Sequence, residues 1–250
     1  MMLVDTHAHI HESIFEPDAI EAIDRARTDK VTKIICVGTS EESSRQAIEF
    51  ADGKEGIFAS IGVHPHDTKD GYADIESLAG SSDKIIAVGE VGLDYFYTNS
   101  SKETQIAALE LQIKTALAHD LPIIFHVREA FDDFWPIFEK YQGIRGVLHS
   151  FTDTQAQLER ALEHGLYIGV NGISTFTKDD AQKAMFDAIP LDRLLFETDA
   201  PFLTPSPFRG KINEPAFVRI VAEYHAERRG ISVEEIARAT SANAHALFAI

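Results

Sequence analysis

Cysteine, long apolar runs and basic residues are all scarce in this 250-residue sequence. The single cysteine, Cys36, cannot close an internal disulfide. Its place in the apolar run KIICVG reads as a buried strand position rather than a redox or catalytic thiol. No apolar stretch approaches the roughly 20 residues of a membrane span, and no basic segment followed by an apolar run opens the chain. The expected location is therefore the cytoplasm, with no membrane and no obligate protein partner. Basic residues number 23 against 40 acidic ones, a formal net charge of -17. An extended track along duplex DNA needs a basic surface, so broad electrostatic binding of nucleic acid is disfavoured. Two bound divalent ions would add about four positive charges in one place, which lets local attraction of an anionic substrate coexist with an acidic exterior.

What is present is an ordinary globular composition, 44% hydrophobic and 25% charged, sufficient for a substantial core. Short β-branched runs alternate with longer helical patterns. Strands are expected at Leu3 to Thr6, Lys33 to Thr39, Ile57 to Val63, Ile85 to Val88, Pro122 to Val127, Gly146 to His149, Tyr167 to Val170 and Leu194 to Glu197. Helices are expected at Asp18 to Arg27, Glu41 to Ala51, Ser101 to His119, Thr154 to His164 and Lys178 to Ala188, with Glu214 to Arg229 and Val233 to Phe248 at the end. Eight strand-then-helix units imply an α/β protein, a single-domain TIM-type (β/α)8 barrel over residues 1–250 with an extra C-terminal helix. A doubly wound open sheet would carry a Gly-rich phosphate loop after its first strand, where this sequence has histidines.

In a barrel of this kind the active site lies at the C-terminal ends of the strands. There the sequence places DTHAHIH (His7, His9), GVHPHD (His64, His66), GEVGLDY (Glu90, Asp94), FHVRE (His126, Arg128), LHSF (His149) and FETDAP (Glu197, Asp199). Alternate residues of a strand share a face, so His7 and His9 project together at a metal-ligand spacing. His7, His9, Glu90, His126, His149 and Asp199 supply enough imidazole and carboxylate ligands for two divalent ions, and Glu90 could bridge them. His11 is in phase but reads as a loop or supporting residue, and His119, His164, His225 and His245 fall in or near helices.

These segments, together with LLFETDAPFLTP, FRGKINEP and TSANAHALF, resemble in order and spacing the TatD family of metal-dependent hydrolases, known mainly as deoxyribonucleases. The resemblance runs from Asp5 to Phe248. It implies a barrel related to the amidohydrolases in which His7, His9 and Asp199 hold one ion and His126 and His149 the other, with Glu90 between them. The intact HxH places the chain with members that keep both first-strand histidines. It departs at Phe208, where many members have His before RGK.

A metal-bound water needs a base, and Asp199 can bind a metal through one oxygen while accepting the proton through the other. Arg128 and Arg209 are candidates for a phosphate oxygen, since a guanidinium offers paired donors; for Arg128 a surface ion pair with Glu129 or Asp132 reads equally well. His64 is presented by the turn that Pro65 fixes, near the substrate or behind the metal ligands, and Asp94 could orient a ligating histidine or cap a turn. Tyr95, with Phe96 and Tyr97, could stack on a base of single-stranded nucleic acid or simply pack. Asn213 and Glu214 read as caps of a terminal helix.

The leading expectation is a phosphodiesterase acting on DNA, a 3′-5′ exodeoxyribonuclease on single-stranded ends. DNA repair and degradation of fragmented DNA are family-level roles. The alternative is an amide or ester hydrolase such as an aminoacyl-tRNA deacylase, and a third reading is a non-catalytic metal-binding protein. Zinc, magnesium, manganese and nickel all suit such ligands.

Overall fold

The computed structural model describes residues 2–250. Its strands are β1 (Leu3–Ala8), β2 (Val31–Val37), β3 (Ile57–Ile61), β4 (Ile85–Asp94), β5 (Ile123–Arg128), β6 (Gly146–Leu148), β7 (Tyr167–Val170) and β8 (Leu194–Phe196). They follow one another in chain order in one sheet, alternating with helices. The fold class is the (β/α)8 barrel expected from the sequence. The helices are α1 (Ala19–Thr28), α2 (Glu41–Ala51), α3 (Asp74–Leu78), α4 (Lys102–Ala118), α5 (Phe131–Phe138), α6 (Gln155–Glu163), α7 (Ile173–Phe176), α8 (Asp180–Ala188), α9 (Val218–Arg229) and α10 (Val233–Phe248). No helix among the described residues is long and apolar enough to cross a membrane.

The polar residues that mark helix starts in the sequence act as caps. Side chains of Asp18, Ser40, Ser101, Thr154, Asp179 and Ser232 each accept from amides in the first turn of the helix they precede, which satisfies donors that have no partner within the helix.

The chain divides into two compact units, one running to residue 35 and resuming over 150–250, the other spanning 36–149. In the first unit β7 pairs with β8 in parallel, matching Ile168 with Leu194 and Val170 with Phe196. The end of β1 lies beside the end of β8: the Asp199 amide donates to the His7 carbonyl at 2.8 Å, and the His9 amide donates to the Ala200 carbonyl at 2.8 Å. Helix α10 packs on β1 and β8 over a core that includes Leu3, Ile168, Leu194 and Phe196. In the second unit β3, β4, β5 and β6 pair in sequence, all parallel. Helix α2 covers β3 and α4 covers β4, with Ile61, Leu93, Leu109 and Phe125 fully buried. Cys36 is buried in β2, as its apolar run implies.

Three local features differ from the sequence reading. Strand β4 continues six residues past Val88 to Asp94 and is buried along most of its length. Helix α5 forms over the aromatic run FDDFWPIF although it contains Pro136, because Phe134 and Trp135 bury almost completely. The segment beginning at Glu214 enters α9 through a 3-10 turn, Pro215–Phe217, which has no side-chain cap. Asn213 instead donates to the carbonyls of Thr198 (2.8 Å) and Phe202 (2.6 Å), and the Glu214 carboxylate accepts from Arg25.

Candidate metal centre

In the first unit, His7 is the penultimate residue of β1 and His9 comes just past its end, so the two imidazoles leave the same face. Their Nε2 atoms lie 3.1 Å apart. Asp199 Oδ1 is 3.3 Å from His9 Nε2 and 3.8 Å from His7 Nε2. Ligand atoms bound at 2.0–2.2 Å around a tetrahedral ion sit about 3.3 to 3.6 Å apart, so these three donors have the chemistry and the spacing to share one divalent cation. Asp199 has φ +59°, a left-handed backbone that few non-glycine residues adopt. The bond from its amide to His7 holds it there. Asp5, two residues before His7 on β1, is tied up by hydrogen bonds: its carboxylate accepts from the Thr198 amide (2.8 Å), the Thr198 hydroxyl (2.5 Å) and the His7 amide (3.3 Å). Burial pushes its pKa up to about 8 despite those donors. His11 lies past the strand with Nε2 3.8 Å from Glu12.

A second group assembles in the other unit. Glu90 from β4 accepts at 2.8 Å from Nδ1 of His126, which comes from β5. His64 Nε2 and His149 Nε2 lie 3.6 and 3.8 Å from the same Glu90 oxygen. His64, Glu90 and His126 each offer a ligand atom within one small cluster, so His64, expected near substrate, stands as close to Glu90 as the expected ligand His149. On the far side of His126, Nε2 meets Asp94 Oδ2 at 3.1 Å. Burial opposes the charged imidazole, but the two carboxylate bonds outweigh it and raise the His126 pKa. One imidazole held between two carboxylates suits a shared proton or a divalent ion in place of one proton. Burial, reinforced by His126, drives His64 down to about 3, so it presents a neutral nitrogen of the kind a metal accepts. Asp94 both orients the histidine and caps a turn: Oδ1 accepts from the amides of Phe96 (3.0 Å) and Tyr97 (3.2 Å). Burial alone would raise its pKa, yet these bonds and His126 hold it below the usual carboxylate range. His66, whose place in GVHPHD was the only sign of a role, also bonds Asp94 Oδ2, at 3.0 Å.

Comparison with known proteins adds the chemical class. The TatD related DNase family model matches residues 4–249. The chain belongs to this family. A relative in Bacillus subtilis, the uncharacterized metal-dependent hydrolase YabD, is 40% identical over 255 residues, covering all of both chains. The 3′-5′ ssDNA/RNA exonuclease TatD of Citrobacter rodentium is 34% identical, covering 99% of this chain and 98% of that protein. Among solved structures, the TatD homolog YjjV of Escherichia coli superposes with a TM-score of 0.92 at 30% identity, covering 99% of this chain and 98% of that one. The chain is accordingly a metal-dependent hydrolase, and it carries His, Asp and Glu clusters, His64, Glu90 and His126 among them, whose ligand atoms lie close enough together to hold a metal ion.

The candidate substrate contacts of this TatD family member divide. Arg128 stacks its guanidinium on the Phe96 ring at 3.8 Å and makes no ion pair with Glu129 or Asp132. Arg209 lies over the Phe176 ring of α7 at 3.8 Å and donates to the Thr204 carbonyl at 2.9 Å. Tyr95 donates to Asp133 at 2.8 Å and lies under Lys102 at 3.8 Å. Burial and the neighbouring Asp133 push its pKa above the normal phenol range. Its aromatic neighbours Phe96 and Tyr97 are the exposed members of the run. Phe208 stacks on Phe217 at 5.1 Å with the rings 13° from parallel.

Proposed function

We propose that this chain is a divalent-metal-dependent phosphodiesterase that removes nucleotides from the 3′ ends of single-stranded DNA, working as one catalytic domain. The observation that carries it is the convergence of His7 Nε2, His9 Nε2 and Asp199 Oδ1 within 3.8 Å of one another, in a family with members named 3′-5′ ssDNA/RNA exonucleases. In this reading His7, His9 and Asp199 hold one ion, and Glu90, His126 and His149 a second. Bound divalent ions supply a water of lowered pKa and positive charge against the phosphodiester oxygens.

The side chains do the rest. Asp199 faces the histidines through Oδ1, and its second oxygen takes the proton of the attacking water. Glu90 and Asp94 fix the His126 ring from opposite edges, so its orientation is set before substrate arrives. Arg128, which has no carboxylate partner among the described residues, offers its N–H donors to a phosphate oxygen.

The test uses metal-stripped protein refilled in turn with zinc, manganese, magnesium or nickel, a 5′-labelled single-stranded oligonucleotide and an aminoacyl ester. Stepwise shortening from the 3′ end is expected with at least one metal, reduced about 100-fold or more by Asp199→Asn. Ester cleavage with an intact oligonucleotide would move the function to acyl transfer, and no hydrolysis of either would sink the catalytic reading.

A further inference from the structure

The large apolar side chains exposed among the described residues are Met2, Ile14, Ile20, Phe96, Tyr97, Phe202 and Ile212. All three aromatic ones lie beside the candidate metal clusters. Phe202 packs on His9 with centroids 6.4 Å apart, Tyr97 packs on His66 at 5.1 Å, and Phe96 meets Tyr97 edge to face at 4.7 Å. Phe96 and Tyr97 remain 49% and 45% exposed, and exposed aromatic area of this kind is stabilised when a ligand covers it.

Their position is fixed by the cluster itself. One oxygen of Asp94 holds His66 and His126, while the other holds the amides of Phe96 and Tyr97. Displacing the aromatic turn therefore pulls on a candidate ligand. Arg128, two residues beyond His126 on β5, extends over both rings, 3.8 Å from Phe96 and 5.2 Å from Tyr97. A guanidinium held over a ring by a cation–π contact spends none of its N–H donors on that contact, which leaves them for an anion.

We propose that Phe96, Tyr97 and Arg128 form a platform on which an unpaired base of a single-stranded nucleic acid stacks while Arg128 meets the adjoining phosphate. This rests on the reading of the site as one that acts on phosphodiesters. The platform makes the enzyme select single strands through their bases, because a base within a duplex has no free face to offer. It also supplies affinity without a basic surface, which fits a chain with 17 more acidic than basic residues.

The test measures anisotropy of a labelled single-stranded decanucleotide bound to Asp199→Asn protein with manganese, with intact bases or with abasic sites at its three 3′-terminal positions. Base stacking contributes about 5- to 150-fold per base, so the abasic substrate should bind about tenfold or more weakly. In Phe96→Ala/Tyr97→Ala that penalty should fall below about twofold, whereas Tyr97→Phe should keep it. Since each protein is compared with itself on two substrates, general damage to the fold does not imitate the result. An equal penalty in the double variant, no penalty in the parent, or no single-strand binding overturns the platform. Base-dependent binding without cleavage by the wild-type enzyme overturns the exonuclease reading and leaves the platform standing; cleavage without base dependence does the reverse.

Discussion

Asp5 and His225 are both sealed from solvent, and burial moves their pKa values in opposite directions because it penalises whichever form is charged. Asp5 joins strands remote in sequence, since Thr198, its main donor, is 193 residues away. A reader of DTHAHIH sees a carboxylate next to histidines and has no means of seeing that partner. His225 reads from the sequence as a helix histidine, and the structure makes it a core one. Its Nε2 lies 2.9 Å from Ser174 Oγ, its ring rests among Phe196, Phe186 and Tyr224, and Arg228, Arg229 and Asp187 are the charges it feels. Burial, with Arg229, lowers its pKa to about 3. In the unfolded chain an ordinary histidine begins to bind a proton near pH 6.5, while folded His225 stays neutral down to about pH 3. The unfolded state therefore binds more protons in that window, and stability falls as pH drops through it. Between pH 7 and 5 the loss should reach about 2 kcal/mol. His225→Gln, which keeps a donor for Ser174 but cannot titrate, should show a smaller decrease in thermal midpoint over the same interval. Parallel decreases in the two proteins would show that His225 is not the group responsible.

Strand β4 is the element where sequence and structure part most clearly. GEVGLD carries two glycines and two acids, the composition of a loop, so the strand reads as ending at Val88. It continues to Asp94 because the register with β5 shifts between Val88 and Val91 and then resumes, pairing Gly92 with His126 and Asp94 with Arg128. The glycines mark close backbone approach, which a one-dimensional pattern cannot distinguish from a turn. Short α5 was illegible for a related reason: its aromatic run has no polar stripe, and Pro136 argues against a helix. Capped amphipathic helices and apolar strands were legible because their signals are local. At Gly92 a Cβ would stand 1.8 Å from the His126 carbonyl oxygen, and φ is +155°. Neither conflict can be relieved by a side-chain rotation. Gly92→Ala should therefore separate β4 from β5, costing about 3 kcal/mol or more and lowering the melting midpoint by roughly 6–12 °C. Because Glu90 and Asp94 flank it on the same strand, metal bound per chain, counted by mass spectrometry, should fall as well. An unchanged midpoint with full metal content would show that the strands accommodate the methyl group and that the close approach does not fix the cluster.

For the molecule as a whole, the order of the strands and the placing of histidines and carboxylates at their ends were readable, since each depends on alternation and spacing along the chain. Which histidines share a carboxylate was not, because His64, His126 and His149 meet Glu90 only after four strands pair. Charge is the other property belonging to the whole chain, and it separates two ways of binding a polyanion. A protein that follows the backbone with many lysines and arginines loses affinity steeply with salt, with a slope of about −0.7 per phosphate contact on a single strand. With 23 basic residues among 40 acidic ones, and with Arg209 turned to Phe176 and Thr204, this chain should neutralise about two phosphates through side chains and depend on metal and base contacts for the rest. The logarithm of kcat/KM for a single-stranded oligonucleotide should then fall against the logarithm of salt concentration with a slope near −1.4, about sevenfold between 50 and 200 mM at fixed metal. Six or more phosphate contacts would give a slope of about −4 and a loss of more than about 200-fold over the same range. A slope that steep would mean that a basic track exists despite the net charge, and that short-range capture at the metal clusters is not how this hydrolase holds its substrate.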